Sequence, residues 1–291
     1  MSVAMSLPFE LTHLDKVMFP ETGYTKGDLL DYYTAVADLL LPHLRDRPMT
    51  LERLPDGVRP GAPHFWQKRT PTYYPKWIPR VDIVGADGTH VEYSLVNDRQ
   101  TLLYMVNQGT ITFHPWLSRI KSLDRPDFVL FDLDRGETRF VDLIRIAREF
   151  HKEFDVGGLE NFVKTSGKTG LHVLVPWRKA GGYDEARSWA FSMAQRVCEK
   201  LPEVATTERR KADRRGKAYV DVMQNARGHH VVPPYVVRAV PAATVSTPLK
   251  WNELTNRLVA GRFDLKNSLR RFKRLRKDLM EALIGVATSR K

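Results

Sequence analysis

The middle of the chain alternates between strand-like and helix-like segments, and this alternation restricts the possible folds more than any other feature. Residues 127–134 (DFVLFDLD) read as a strand, residues 140–154 carry apolar side chains at helical spacing, and residues 171–176 read as a strand again. A helix that begins at Asp184 and a strand over residues 217–224 continue the pattern. Strands separated by helices predict an α/β fold class, with β-sheets flanked by helices.

The segments before this core also carry secondary-structure signals. Thr25 and Asp28 form a capping pair ahead of a helix with one apolar face. Asp98 can cap a shorter helix that leads into a strand over residues 110–114. No repeat, low-complexity tract or Gly/Ser-rich linker interrupts residues 7–260, which we expect to form one folded unit.

The net charge of the chain indicates its class of partner. Its 46 Lys and Arg residues against 34 Asp and Glu give a formal net charge of +12 and a pI near 9.8. The basic residues are bunched, and six of the nine residues 209–217 are Lys or Arg. Such a field attracts phosphates, so a polyanion such as a nucleic acid is the expected partner. The alternative is a soluble basic protein without such a partner.

The C-terminal segment, residues 261–291, is predicted to form a basic amphipathic helix or helix pair. Its apolar residues fall on one stripe, which we expect to dock on the body of the protein. The opposite face would raise the affinity for a polyanion without sequence preference, and an ordinary solvated surface helix is the alternative. The basic residues of that face are Lys266, Arg270, Arg271, Lys273, Arg274, Arg276 and Lys277.

Cysteine content and hydropathy exclude several classes of protein. The single cysteine, Cys198, cannot form an internal disulfide and leaves no cysteine pair for zinc or an iron–sulfur cluster. Any metal must therefore be held by oxygen or histidine. No stretch approaches the ~18 to 20 apolar residues of a membrane span, and the first ten residues lack a signal-peptide pattern. We expect a cytoplasmic protein with no membrane partner.

Three aspartates lie in apolar strand-like segments. Asp132 and Asp134 are two positions apart, so their carboxylates leave the strand on the same face, and Asp221 lies within AYVDV. Acids in such surroundings need a cation, and Mg²⁺ and Mn²⁺ prefer carboxylate oxygen. Two such ions about 4 Å apart would support nucleotidyl transfer or phosphodiester cleavage. For the first pair, the alternative is a helix cap followed by a solvent-facing turn acid.

A glycine-bearing turn, residues 165–172 (TSGKTGLH), precedes the next strand. The turn contains GKT, but a P-loop needs glycine at the position of Phe162. A P-loop also leads into a helix, whereas this turn leads into a strand. Backbone amides of the turn, with Ser166, Lys168 and His172, could instead hold a triphosphate. A plain β-turn is the alternative.

These segments together resemble a known family. The DLD strand, the Ser-Gly-x-x-Gly-Leu-His turn, and Asp221 followed by Gln224 occur in the order and spacing of the three motifs of the archaeo-eukaryotic primase superfamily. More narrowly, the chain is similar to the polymerase domain of bacterial DNA ligase D, from LTHLDK at residues 11–16 to WNEL at residues 251–254. The resemblance implies a primase-type core with β-sheets flanked by helices.

The resemblance also implies residue roles. Asp132, Asp134 and Asp221 would carry two catalytic divalent ions, Mn²⁺ or Mg²⁺. The aromatic pair Phe65 and Trp66 would stack at the templating base. The incoming nucleotide would be surrounded by His114, Ser166, His172, Arg214, Gln224, Arg238 and Lys68.

The residues by themselves leave some of these roles open. His114 and the aromatic pair could belong to the core instead. Arg135 stands where the family usually has proline, Trp66 replaces a phenylalanine, and Lys168 is one place earlier than usual, which leaves its direct contact in question.

Lys16 and Lys26 are predicted to bind the 5′ phosphate on the far side of a gap. Both match positions with this role in the family. Lys26 also falls in the first turn of a predicted helix, where free backbone amides and the helix dipole favour an anion. The alternative is that they are two ordinary surface lysines.

The function implied by the resemblance is template-directed addition of ribo- or deoxyribonucleotides to a primer 3′ hydroxyl with release of pyrophosphate, at DNA ends or gaps during end joining. It further implies manganese dependence, a preference for ribonucleotides, a nucleoid location, and a ligase and an end-binding protein as partners. The sequence contains no Lys-centred ligase motif or His-rich nuclease module, so we expect a stand-alone polymerase or an excised domain. A primase that starts chains de novo and a non-catalytic DNA-end binding module are the alternatives.

Overall fold

In a computed structural model of the chain, residues 7–85, 87–275 and 277–285 are described. The helices are α1 (Lys26–Leu44), α2 (Arg99–Asn107), α3 (Phe140–Val156), α4 (Tyr183–Lys200), α5 (Leu265–Phe272) and α6 (Glu281–Gly285). The strands are β1 (Val17–Phe19), β2 (Tyr24–Thr25), β3 (Met49–Arg53), β4 (Phe65–Gln67), β5 (Arg80–Val84), β6 (His90–Ser94), β7 (Thr110–Pro115), β8 (Phe128–Asp134), β9 (Phe162–Thr165), β10 (Leu171–Pro176), β11 (Ala205–Thr206), β12 (Ala218–Asp221) and β13 (Pro248–Leu249).

The largest sheet carries the predicted functional strands. Its order is β11–β12–β8–β10–β9–β13, and its neighbours are antiparallel except for β11 and β12. Side chains alternate along β8, so Val129, Phe131 and Leu133 pack with α3 and α4 while Asp132 and Asp134 lie on the other face. The sheet thus has one helix-covered face and one face that presents polar groups.

A second sheet, β4–β3–β7, shares a core with α1 and α2. Helix α1 begins as predicted, because the Thr25 side chain accepts the Asp28 N–H and the Asp28 carboxylate accepts the Thr25 N–H at 2.7 Å. Asp98 caps α2 by accepting the Thr101 N–H at 2.7 Å. The chain then enters β7, which carries one of the predicted site residues.

The C-terminal segment forms the helix pair α5 and α6. Leu265 and Phe272 are buried in the same core as α1, and Leu283 is buried in a smaller apolar cluster beside β8 and β10. The apolar side therefore docks on the body. Arg276 and residues 286–291, which were part of the predicted amphipathic segment, lie outside the described residues. The predicted domain boundary before this segment stays a prediction.

Two details differ from the sequence-based expectation. The strand predicted over residues 217–224 ends at Asp221, because the Asp221 carboxylate accepts the Met223 N–H at 2.7 Å and the chain turns there. The hairpin of β5 and β6 has no counterpart among the predicted elements, although polar and apolar residues alternate along HVEYS and along the first four residues of RVDIV. No described helix has the length and apolar character needed to cross a membrane.

Candidate active site

A row of four polar side chains crosses the main sheet. In the pairing register, Asp221 of β12 stands opposite Asp132 of β8, which stands opposite His172 of β10. His172 in turn stands opposite Lys164 of β9. Residues directly opposite one another share a face of the sheet, so all four side chains lie on the face away from α3 and α4. His172 Nε2 is 3.3 Å from Asp132 Oδ1.

The three predicted catalytic carboxylates act on one another electrostatically. Burial, followed by the charges of Asp132 and Asp221, raises the pKa of Asp134 to about 7. Burial acts in the same direction on Asp132, but the interaction with His172 and with more distant basic groups outweighs it and lowers the pKa of Asp132. A cation between these groups would relieve their repulsion, and carboxylate oxygens suit a hard divalent ion.

The aspartates share a face but do not yet meet at one point. Asp221 Oδ1 accepts hydrogen bonds from the Met223 N–H at 2.7 Å and from the Tyr219 hydroxyl at 3.3 Å. Within the described part of the chain, no three His, Cys, Asp or Glu side chains already converge as ligands of one metal. An ion that binds Asp221 Oδ1 would therefore compete with these two hydrogen bonds.

The turn between β9 and β10 requires glycine at two positions. A Cβ atom at Gly170 would lie 2.6 Å from the Leu133 carbonyl oxygen. Gly167 has a φ of +73°, and a Cβ there would lie 2.6 Å from Arg238 Cγ. Ser166 Oγ closes the turn by accepting the Gly170 N–H at 3.0 Å. The predicted triphosphate loop is thus a tight turn whose serine oxygen is already a hydrogen-bond acceptor.

Arg238 joins this turn to a cavity of about 280 Å³. Its Nη1 donates to the Ser166 carbonyl at 2.7 Å, whereas its buried Nε has no hydrogen-bond partner among the described residues. About half of the predicted site residues converge on this cavity. Those that line it are His114, Asp132, Asp134, Ser166, His172, Gln224 and Arg238, together with Lys168 and His230.

His114 is held by an acid that the sequence analysis did not identify. Its Nε2 lies 3.3 Å from Oε2 of Glu52 on β3, and Glu52 Oε1 lies 3.2 Å from Nε2 of His64. Burial favours neutral Glu52, but the hydrogen bonds and charges of its neighbours, chiefly His114, together outweigh burial, and the pKa of Glu52 falls to about 2. Burial lowers the pKa of His114, so its ring is neutral at pH 7. An acid inside the buried strand MTLER is the signal that would have found Glu52.

His230 is a second residue of the cavity that was not predicted. Its ring centroid lies 5.1 Å from that of His114 and 6.1 Å from that of Trp66, on which it stacks. Burial, with the charges of His114 and Lys68, lowers the pKa of His230 to about 4. Phe65 and Trp66 are 52% and 50% exposed, so the aromatic pair is not part of the core. Trp66 forms a wall beside the cavity.

Some predicted residues stand next to the cavity without lining it, namely Arg214, Lys68 and Asp221. The guanidinium of Arg214 lies 3.9 Å from the Tyr219 ring centroid and donates to two carbonyls of its own loop at 3.0 and 2.9 Å. Burial and the charges of Asp132 and Asp221 raise the pKa of Asp134, and the charge of Arg214 lowers it by a smaller amount. Lys68 is exposed beyond the aromatic wall.

Lys16 and Lys26 lie side by side, but one argument for an anion site there is wrong. The Lys26 N–H donates to the Lys16 carbonyl and the Gly27 N–H to the Leu14 carbonyl, each at 2.8 Å. The amides expected to be free at the start of the helix are therefore occupied by the preceding loop. Lys16 Nζ pairs with Asp56 at 2.6 Å, and burial, together with the charge of Lys16, lowers the pKa of Lys26.

Comparison with known proteins identifies the family. Residues 25–280 match the family described as "LigD, primase-polymerase domain". The chain is 33% identical over 267 residues to "Bifunctional non-homologous end joining protein LigD" of Bacillus subtilis, a match that covers 91% of this chain and 42% of that protein. It is 32% identical over 249 residues to "Multifunctional non-homologous end joining protein LigD" of Mycolicibacterium smegmatis, covering 84% of this chain and 32% of that protein. The chain thus spans less than half the length of either relative.

A solved structure gives the same result at the level of the fold. It is described as "Polymerase Domain from Mycobacterium tuberculosis Ligase D in complex with DNA", and it matches with a TM-score of 0.89 and 30% identity over 96% of this chain and 99% of that one. The predicted α/β class and primase-type core are confirmed by this match. The chain belongs to the primase-polymerase domain family of LigD.

Proposed function

We propose that this chain is a nucleotidyltransferase that extends a DNA 3′ end on a template with an NTP or dNTP. The observation that carries the proposal is the in-register row of Asp221, Asp132 and His172, of which Asp132 and His172 line a cavity together with Ser166 and Arg238. In the reaction, the primer 3′ oxygen bonds to the α-phosphorus, the bond from that phosphorus to the bridging oxygen breaks, and pyrophosphate leaves. Carboxylates for divalent ions and donors for a triphosphate are the two parts that this chemistry needs.

Two divalent ions, Mn²⁺ or Mg²⁺, are part of the proposal. Asp132, Asp134 and Asp221 would hold them, since their oxygens are hard donors and since the raised pKa of Asp134 reflects an excess of negative charge at this point. Such ions supply an activated 3′ hydroxyl and charge compensation at the leaving oxygen.

The remaining residues of the cavity would bind the nucleotide, some through their charge and some through hydrogen bonds. Arg238 would bind phosphate oxygens, since a guanidinium is permanently charged and its buried Nε has no partner among the described residues. His114 and His172 both have pKa values lowered by burial, so they would act at pH 7 as neutral hydrogen-bond partners of the nucleotide. Ser166 would contribute its hydroxyl hydrogen, because its oxygen already accepts from the turn.

DNA ends or gaps are the proposed substrate. The half-exposed rings of Phe65 and Trp66 suit base stacking, which contributes ~1 to 3 kcal/mol per base. A related polymerase domain has been solved in complex with DNA. We include in the proposal a role in end joining, which the names of the LigD relatives support. The proposal also includes a nucleoid location in the cytoplasm, a preference for ribonucleotides, and a ligase and an end-binding protein as partners, all of which rest on the sequence resemblance alone.

Primer extension with a titration of Mn²⁺ tests the proposal. Wild-type protein is expected to extend a primer on a gapped template, and Asp132→Asn is expected to lose this activity. Asp184→Asn, which removes one exposed carboxylate on α4, is the matched control and should extend like wild type. If the wild type extends no primer with any divalent ion, the polymerase proposal fails, and the non-catalytic end-binding module becomes the better account. Synthesis on bare single-stranded template without a primer would favour the primase alternative.

A further inference from the structure

A second basic cavity lies on the C-terminal segment, well apart in sequence from the motifs of the active site. Its volume is about 540 Å³, compared with about 280 Å³ for the active-site cavity. The side chains that line it within the described residues include four arginines and no acid. We call it the arginine pocket, formed by Arg262, Phe263, Asn267, Arg270, Arg271, Arg274 and Leu275.

Arg271 lines the arginine pocket, but its charge is already paired with a carboxylate. Its two terminal nitrogens donate to the two carboxylate oxygens of Glu253 at 2.5 and 2.7 Å, and one of them also donates to the Pro248 carbonyl at 3.0 Å. Its guanidinium lies 5.4 Å from the Phe263 ring centroid. These contacts join α5 to β13 and neutralise both Arg271 and Glu253.

The other three arginines of the pocket have no such compensation. Arg262, Arg270 and Arg274 are exposed, and their side chains form no hydrogen bond or ion pair within the described residues. The backbone of Arg262 is held in place, because Asn267 Nδ2 donates to its carbonyl at 3.0 Å. Arg270 lies in the last turn of α5 and Arg274 lies two residues beyond its end, so two like charges that repel each other border the same pocket. An anion in the pocket would remove this repulsion.

We infer that the arginine pocket binds the phosphate backbone of DNA, in the duplex arm that lies beyond the 5′ phosphate of a gap. Guanidinium groups match phosphate oxygens with two parallel hydrogen bonds, and the pocket offers three that are free of carboxylates in the described residues. The inference rests on the proposed function, because that function supplies gapped DNA as the substrate.

The position of the pocket indicates which arm of the DNA it would meet. Helix α5 packs against α1, and its capping residue Asp264 and Arg270 are close enough to Tyr24 to shift the pKa of its hydroxyl in opposite directions. Tyr24 is two residues before Lys26, which belongs to the predicted 5′-phosphate site. The arginine pocket therefore lies near the start of α1, the helix whose first residue is Lys26.

Equilibrium DNA binding at several salt concentrations tests the inference. The variant is Arg270→Gln/Arg274→Gln, and the matched control is Arg148→Gln/Arg196→Gln, which removes two exposed arginines from α3 and α4. Each protein is measured on a 5′-phosphorylated gap with a duplex arm beyond the gap and on the same primer–template without that arm. Because each phosphate contact contributes roughly 0.9 to the slope of log affinity against log salt, the variant should lower this slope by about 1.8 on the substrate with the arm only.

Three outcomes would overturn the inference. The first is a salt slope of the variant equal to that of the wild type and of the control. The second is an equal decrease of the slope on the substrates with and without the arm. The third is saturable binding of inorganic tripolyphosphate by the pocket, with no change in the salt slope of DNA binding. The last outcome would assign the pocket to small polyphosphates. If the wild type extends no primer, the proposed function is wrong. The salt slopes would still show whether the pocket binds DNA.

Discussion

The carboxylate of Glu52 and the imidazole of His114 face each other from the paired strands β3 and β7, with 3.3 Å between Oε2 and Nε2. Both groups are buried, and Glu52 also lies 3.2 Å from His64 at the rim of the aromatic wall. One buried acid thus orients the ring that lines the active-site cavity and a second ring beside it. Glu52 is a positioning residue, because it reaches the cavity only through the histidines.

Glu52→Gln should weaken nucleotide binding more than it slows chemistry. A hydrogen bond to a charged group contributes about 1.5 to 3 kcal/mol, so we expect KM for the nucleotide to rise ~10-fold or more with a smaller change in kcat. Steady-state primer extension measures both constants. Glu92→Gln, an exposed acid paired with Arg80 on the β5–β6 hairpin, is the control. A KM equal to that of the wild type would rule out the positioning role of Glu52.

Gly170→Ala should destabilise the protein and abolish extension, because its Cβ would meet the Leu133 carbonyl at 2.6 Å next to the catalytic strand. Overpacking of this kind costs about 1 to 3 kcal/mol. Gly157→Ala is the matched control, since its Cβ would meet no heavy atom closer than 3.5 Å. Chemical denaturation of both variants gives the free energies of unfolding. Equal stability of the two variants would contradict the tight turn.

The C-terminal segment should be held by the contacts of a buried carboxylate, Asp278, and acid should weaken them. Asp278 lies 2.6 Å from His43 Nε2 and accepts the Tyr235 hydroxyl at 2.5 Å. Burial would raise the pKa of Asp278, but these contacts outweigh it and lower the pKa. A lowered pKa contributes stability above the unfolded value of about 3.9, and this contribution is lost as the pH falls through the folded value.

Asp278→Asn is therefore expected to reduce the free energy of unfolding at pH 7 by about 1.5 to 3 kcal/mol. The difference from the wild type should shrink as the pH falls below about 4. Asp31→Asn, an exposed acid on α1, is the control and should have little effect at either pH. Denaturation curves at both pH values measure the effect, and a difference that grows in acid would contradict the assignment.

Lys16 is paired with Asp56 at 2.6 Å, so a 5′ phosphate must displace that carboxylate to bind. Lys16→Ala should reduce the preference for gaps ending in 5′ phosphate over 5′ hydroxyl by roughly 10- to 100-fold, the equivalent of a charge-assisted contact. Asp56→Asn should increase the preference. Binding assays on the two kinds of gap measure both effects. A wild type that does not distinguish them would remove the 5′-phosphate site and favour a primase.

Strand periodicity predicted that Asp132 and Asp134 leave their strand on one face, and β8 has this arrangement. The position of His172 opposite Asp132 follows from the pairing of β8 with β10, which the sequence did not show, and its predicted role came from the family resemblance. Glu52 and His230 were missed because they reach the site through contacts between segments far apart in sequence. The acid in MTLER marks Glu52 as unusual, but the local sequence does not show that it contacts His114.

The incorrect expectation at Lys26 has the same origin. The sequence shows where a helix begins and therefore which amides lack partners within the helix. It does not show that the preceding loop folds back, so that the Leu14 and Lys16 carbonyls occupy these amides. Local sequence propensity thus predicted the helix. Contacts with a distant segment decided which backbone amides at its start were available to bind an anion.

The central claim is that Asp132, Asp134 and Asp221 act as one catalytic group on the polar face of the main sheet. The most direct measurement is single-turnover primer extension by Asp132→Asn, Asp134→Asn and Asp221→Asn, with DNA affinity measured on the same samples. We predict that each variant loses extension to below about a tenth of wild type while DNA affinity is retained or slightly increased, since each change removes negative charge beside the nucleic acid. Extension above that level in any one of the three variants would contradict a shared catalytic group.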